Sequence, residues 1–366
     1  MTRTYDIAII GGGIMGCASA LRMATGGMQP VILDQGDLGQ GASGVNSGTL
    51  SLQIKRVRLM PYALKGHHEW ETMGDAVGFH KTGGYTLAFT EREAALLRER
   101  QTLKAEAGAP ITFVSDQQIR KAEPGLTDKV LAASYCPEDG YANSSLTGQY
   151  FRGRLRDAGL AYRERCPVTA LDQGNEGFTL TTPHGPIHAR RLLLAAGAWL
   201  KPVAALLGVD LPVQARINTV SVTERMPPMV STVIGHATGL LTMKQKPNGT
   251  VLVGGGWQGR GTPQGGRGQV SAASVQPNLA LAQYALPGLA NARVLRSWTG
   301  FEANVPDFYP LAGALPGVEN AFVLGCVRGG YTIGPYIGGL MGDFILGREP
   351  ELPLFDPARN FDVEMT

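Results

Sequence analysis

Residues 6–10, Asp6-Ile7-Ala8-Ile9-Ile10, form a short apolar run that stops at Gly11-Gly12-Gly13-Ile14-Met15-Gly16. An unbroken apolar run of this length fits a strand buried on both faces, as parallel strands covered by helices are. A helix-compatible stretch follows over 17–24, Gly26-Gly27 breaks it, and Pro30-Val31-Ile32-Leu33-Asp34 supplies a second strand. Strand, crossover helix and parallel strand then make a right-handed unit. Gly11, Gly13 and Gly16 satisfy G-x-G-x-x-G at the junction of strand and helix. Such glycines make a tight turn, let backbone N–H groups reach a pyrophosphate, and let helix pack on strand. Asp34 ends the second strand near the ~20-residue offset at which a carboxylate accepts from a ribose hydroxyl. The pattern predicts a dinucleotide-binding unit.

Gly accounts for 50 of the 366 residues, roughly twice the ordinary share and without a triplet period. Close backbone approaches are therefore expected elsewhere too. Lys and Arg total 33 against 30 Asp and Glu, a net charge of +3, which is too mild to make nucleic acid the expected partner. Cys17, Cys136, Cys166 and Cys326 are scattered with no C-x-x-C, so a zinc cage, a Cys-ligated cluster and a dithiol centre are not expected. The six His residues lack metal-site spacing, and no metal is expected. The first residues run into a strand without a charged-then-apolar leader, and the longest apolar stretch, 333–346, is too short to span a bilayer and contains Pro335 and Asp343. The expectation is a cytoplasmic protein with no membrane span.

Periodicity predicts helices over 61–73, 91–107 and 145–157. Period-two alternation over 84–89, 219–223 and 250–253 predicts an antiparallel sheet assembled from distant segments. The apolar run 191–197 reads as another buried parallel strand. The expected architecture is α/β: a Rossmann-type, doubly wound first domain from 1–80, 146–206 and 306–361, and a discontinuous α+β second domain with an antiparallel sheet from 81–145 and 207–305.

Three further small-residue segments accompany the first turn. Gly41-Ala42-Ser43-Gly44-Val45-Asn46-Ser47-Gly48 offers backbone and hydroxyl donors soon after Asp34. Ala195-Ala196-Gly197-Ala198-Trp199 ends the later buried strand, and Gly325-Cys326-Val327-Arg328-Gly329-Gly330-Tyr331-Thr332-Ile333-Gly334-Pro335 leads into an apolar helix. In these four motifs, in their order, the chain resembles the superfamily of FAD-dependent amine oxidoreductases that holds D-amino acid, glycine and sarcosine oxidases. The resemblance implies non-covalent FAD, with Gly11, Gly13, Ile14, Met15, Gly16, Asp34 and Gln35 at ADP and a backbone contact to adenine at Val168. It places Ala42, Ser43, Ser47, Gly48, Thr49 and Leu50 in the loop after Asp34, and Ala196, Gly197 and Trp199 beside the cofactor. It places Gly325, Arg328, Gly329, Gly330, Tyr331, Thr332 and Ile333 against the flavin. Independently of resemblance, N–H groups and the positive dipole end of a helix starting near Tyr331 would stabilise negative charge on a reduced flavin.

The implied reaction is hydride transfer from the carbon next to nitrogen to flavin N5, giving an imine from an amino acid derivative or secondary amine: an N-alkyl amino acid, an imino acid or an opine-like molecule. Trp298-Thr299-Gly300-Phe301-Glu302-Ala303-Asn304-Val305-Pro306-Asp307 departs from the glycine and D-amino acid oxidising relatives, which carry an Arg for the substrate carboxylate where this chain has Glu302. Glu302 is expected to meet a cationic amine or to make a structural ion pair, with Tyr331 and Arg328 as its companions at the reacting centre. Arg328, or Lys55, Arg56 or Arg58, would supply the lost positive charge. No Lys follows 250–253 where sarcosine-oxidase-like relatives carry one, which favours a dehydrogenase passing electrons to a partner protein over an oxidase. The alternatives are a catalytically silent FAD subunit of an electron-transfer assembly and an NAD(P)H-dependent flavin monooxygenase.

Overall fold

The computed structural model describes residues 4–325 and 329–361. The chain divides into two units, Met1–Val45 with Ser144–Arg216 and Phe301–Thr366, and Asn46–Asn143 with Ile217–Gly300.

In the first unit, β1 (Thr4–Ile10), helix α1 (Ile14–Thr25) and β2 (Pro30–Leu33) realise the N-terminal pattern. β1 lies parallel between β2 and the strand Ile187–Leu194, and Ala161–Arg163 extends the parallel sheet beyond β2. The strand Ile187–Leu194 changes partner along its length. Its first half pairs antiparallel with Gly177–Thr181, and its last residues pair parallel with Ala321–Gly325. Ile7, Ala8, Ile9, Val31, Ile32, Leu192, Leu193 and Leu194 have no exposed surface, so both faces of this sheet are covered, as the unbroken apolar runs require.

One cover is a pair of packed helices. Gly334, Gly338 and Gly342 recur every fourth residue along the helix Gly330–Ile345, on one face. A Cβ at Gly334 would stand 3.0 Å from Ile14 Cγ2, at Gly338 2.8 Å from the Met15 carbonyl oxygen, and at Gly342 2.7 Å from Arg22 Cβ. The absent side chains let α1 seat against backbone. Ser19 Oγ donates to the Gly338 carbonyl at 2.9 Å, and Arg22 pairs with Asp343 at 2.8 Å.

The second unit carries an eight-stranded sheet in the order Val294–Asn304, Gln214–Arg225, Thr250–Gly254, Thr242–Gln245, Val233–His236, Gly84–Ala88, Ala132–Cys136 and Thr112–Val114. Its described pairings are antiparallel except Val233–His236 with Gly84–Ala88. A core of Leu87, Ile234, Met243, Val251, Val253, Ala282 and Ala285 fills one side of it under the helix Ala272–Ala285. A small sheet joins Thr49–Leu50 and His80–Lys81 to Gly140–Tyr141. Residues 46–80, expected in the first domain, therefore lie in the second unit, held there by partners about 60 to 90 positions away in sequence.

Cys17, Cys136 and Cys166 are buried free thiols. No described helix is long and apolar enough to cross a membrane. No group of three or more metal-ligating side chains occurs among the described residues.

Candidate active site

Within the first unit the glycine turn is tied down by polar contacts of its own. Gly11 has a φ of 116°, and a Cβ there would lie 2.3 Å from the Ala195 carbonyl oxygen. Only glycine fits that approach. A Cβ at Gly16 would stand 2.1 Å from the Gly11 carbonyl oxygen, so helix and turn also touch through backbone. Asp34 accepts from Gly12 N and from Gly36 N, both at 2.7 Å. Burial raises its carboxyl above the usual carboxylate range, and those two N–H groups oppose the rise. Ser43 Oγ accepts from Ile14 N at 3.1 Å, which brings the loop after Asp34 onto the first turn of α1. Gly13, the N-cap, provides no side-chain cap of its own, leaving the end of α1 open to an anion.

The other first-unit motifs converge on the same turn. Ala195 and Ala196 lie against Gly11, and Ala196, Trp199 and Val168 pack on the core beneath the sheet. The tail helix approaches Ile14 and Met15 through Gly334. At its opening Gly329 is left-handed, with a φ of 70°, and its N–H donates to Glu302 Oε1 at 2.9 Å. Glu302 therefore anchors the turn through hydrogen bonding to backbone. The Tyr331 hydroxyl bonds Thr147 Oγ1 at 2.9 Å, on the helix Ser144–Asp157, and burial raises its pKa. Arg328 lies outside the described residues.

Two groups here are buried without a hydrogen-bond partner among the described residues: Thr332 Oγ1, in the first turn of the tail helix, and both side-chain atoms of Asn304. Buried polar atoms of native proteins find partners. The orphaned Thr332 hydroxyl, at an uncapped helix opening, fits a polar ligand there.

In the second unit, Gly48 has a φ of 76°, its N–H donates to Asn46 Oδ1 at 2.6 Å, and its carbonyl accepts from Ala142 N at 2.9 Å. Ser47 Oγ lies 3.1 Å from Thr49 Oγ1. The chain just beyond is fixed by Asp139, fully buried, which accepts from Ser51 Oγ at 2.5 Å, Leu52 N at 2.8 Å and Gln53 Nε2 at 3.1 Å. Lys55 is buried and Arg58 exposed. The residue that sequence reasoning missed is Lys244. Its Nζ donates to Thr49 Oγ1 at 2.6 Å, and the residue is 1% exposed. It stands opposite Leu252 in the hairpin of Thr242–Gln245 and Thr250–Gly254. A search confined to residues after 250–253 passes over it, because the hairpin places the lysine on the strand before.

A family model described as FAD dependent oxidoreductase matches residues 6–344. The chain belongs to this family. Its cofactor is FAD, and the uncapped end of α1, the Gly11 cradle and the orphaned Thr332 hydroxyl fit such a group. Among curated proteins it is 28% identical over 375 residues to an opine oxidase subunit of Rhizobium meliloti, covering 98% of both chains. It is also 28% identical to glycine oxidase of Geobacillus kaustophilus (strain HTA426), covering 97% of this chain and 96% of the relative. The solved structure of glycine oxidase from Geobacillus kaustophilus superposes with a TM-score of 0.90 at 25% identity, covering 98% of this chain and all of that one. The family and these relatives support FAD-dependent oxidation of an amine or amino acid.

Proposed function

We propose that this protein is the FAD-bearing, substrate-oxidising component of an amine dehydrogenase whose substrate is a secondary amine carrying carboxylate, of the opine, N-alkyl amino acid or imino acid kind. The observation that carries the substrate class is Glu302. Its carboxylate, bound to Gly329 N at the opening of the tail helix, presents negative charge where an amine-binding group is wanted, and it suits a cationic amine rather than a second carboxylate. The likeness to the Rhizobium meliloti opine oxidase subunit over 98% of both chains supports that class and, since that relative is a subunit, supports a partner protein.

Gly11, Gly13, Ile14, Met15, Gly16, Asp34, Gln35 and Val168 would hold the ADP part of FAD. Ala42, Ser43, Ser47, Gly48, Thr49, Leu50, Ala196, Gly197, Trp199, Gly325, Gly329, Gly330, Tyr331, Thr332 and Ile333 would line the rest. When bound, FAD supplies the two-electron acceptor for the C–H next to nitrogen. The N–H groups and positive dipole end of the 16-residue helix Gly330–Ile345 stabilise negative charge brought to its opening. Glu302 holds that opening in place and orients the amine. An amine that arrives as the cation first gives its extra proton to solvent, since it must react with its nitrogen unprotonated, and the imine product hydrolyses in water without a dedicated base.

The test is an anaerobic panel of iminodiacetate, opines, sarcosine, proline and D-amino acids, followed by the visible spectrum. Bleaching by a secondary amine bearing carboxylate supports the reading. Bleaching by NADPH alone overturns it in favour of a monooxygenase, and no bleaching by any amine overturns it in favour of a silent subunit. Turnover with an artificial acceptor but not with oxygen supports the dehydrogenase.

A further inference from the structure

Lys244 lies on the strand Thr242–Gln245, on the sheet face opposite Met243, which belongs to the apolar core. Among the described residues its ammonium has one hydrogen-bond acceptor, Thr49 Oγ1, and no carboxylate within ion-pair distance. An ammonium has three N–H donors. Lys246 follows two residues later, so on the same face, with its Nζ 4.0 Å from the centre of the Tyr141 ring. The Lys244 Nζ stands 6.0 Å from the same ring. One buried and one half-buried amine thus share one face beside the Ser47–Thr49 hydroxyls without an acid among their described neighbours. A leucine or methionine at 244 would pack there without the desolvation cost of an amine. A buried amine without an acid beside it is where an anionic ligand, which would favour its charged form, is expected.

We infer that Lys244 is the substrate-binding cation of this protein, taking a carboxylate of the secondary amine beside Thr49. The inference rests on the proposed function, because it is the resemblance that puts Thr49 in the flavin loop. It supplies the positive charge that a substrate carboxylate calls for.

The electrostatics add a signature. Burial holds the Lys244 amine well below the ordinary lysine value, and the charge of Lys246 lowers it further. The groups facing it are Lys246 on its own strand, Thr49 and Tyr141 on the small sheet, and Leu252 across the hairpin. A bound carboxylate restores the ammonium, so binding takes up a proton and tightens as pH falls.

The test uses the full-length, FAD-loaded protein and thiodiacetate, which has two carboxylates but no nitrogen to oxidise. Binding is read from the flavin difference spectrum and by calorimetry in two buffers of different ionisation enthalpy. The expected result is proton uptake by the wild type. Lys244→Met should weaken binding about tenfold to a hundredfold while FAD stays bound. Lys244→Arg, which stays charged at all working pH, should bind without taking up a proton. If Lys244→Met does not fold, the Arg variant and the wild type decide the matter. An undiminished affinity in Lys244→Met, or proton uptake unchanged in Lys244→Arg, overturns the inference. None of these depends on whether an amine bleaches the flavin, so failure here and failure of the proposed function are separate results.

Discussion

The glycine turn of the first unit and the lysine face of the second are both built of buried polar groups, yet they are finished differently. At the turn, Asp34 accepts two backbone N–H groups and Ser43 accepts a third. Its loops are tied to one another by the protein's own polar groups, while Gly13 leaves the end of α1 without a side-chain cap of its own. On the lysine face, two amines meet one hydroxyl and one aromatic ring among the described residues. The difference separates a scaffold, whose sequence must be right for folding, from a recognition surface whose cost is recovered only when a ligand arrives.

The largest effect should come from breaking the scaffold. Gly11→Val drives a side chain into the Ala195 carbonyl, 2.3 Å from the position of its Cβ, at a φ that valine avoids, and should cost more than about 3 kcal/mol in a denaturant or thermal melt. Gly13→Val should leave the fold and abolish FAD retention, because a Cβ at Gly13 meets only Ser43 Oγ at 3.3 Å. A Gly13→Val protein that stays yellow would remove that turn from the cofactor site.

Lys244→Met should do the reverse on the other surface, stabilising the FAD-free fold by about 1–3 kcal/mol, since it replaces a buried amine held by a single hydroxyl with an apolar chain of similar size. A destabilised variant would mean that the amine is part of the scaffold. The pH dependence sharpens the point. Lys246 and Lys104 each fall from 10.5 to about 8 through burial. Between those values the unfolded chain binds more protons than the folded one, so their contribution to stability rises with pH from about 8 to 10.5. A melt series should show that rise, and Lys246→Met should flatten it.

Glu302→Gln keeps an acceptor for Gly329 N and removes the charge. It should leave the flavin spectrum intact and raise KM for the amine about tenfold, whereas Glu302→Ala should disturb both turnover and spectrum. Unchanged kinetics in the Gln variant would reduce Glu302 to an anchor. The smallest change is Ser43→Ala, which leaves Ile14 N without its side-chain acceptor and should cost about 1 kcal/mol.

What could be read from the sequence follows the range of the interactions. The first strand, turn and helix announce themselves because burial on both faces and a tight glycine turn are local demands, written into residues 4–33. The convergence of Gly11 with Ala195, and of the tail helix with Ile14, follows from motif order. The place of residues 46–80 does not, because Thr49–Leu50 pairs with Gly140–Tyr141, and a two-residue strand has no period to detect. Lys244 was invisible for a related reason. In sequence it is one polar residue of an alternating run before Pro247-Asn248-Gly249, and only the hairpin register shows that its side chain is buried opposite Leu252. Glu302 was legible as a departure, while its bond to Gly329 N was not.

The central claim is that the FAD of this protein takes electrons from a secondary amine bearing carboxylate. Anaerobic addition of iminodiacetate or an opine to the purified yellow protein tests it most directly. The account predicts loss of the flavin's visible absorbance on that addition, with colour restored by an artificial acceptor. An unbleached spectrum across the whole amine panel, with folded protein and bound FAD, would contradict it.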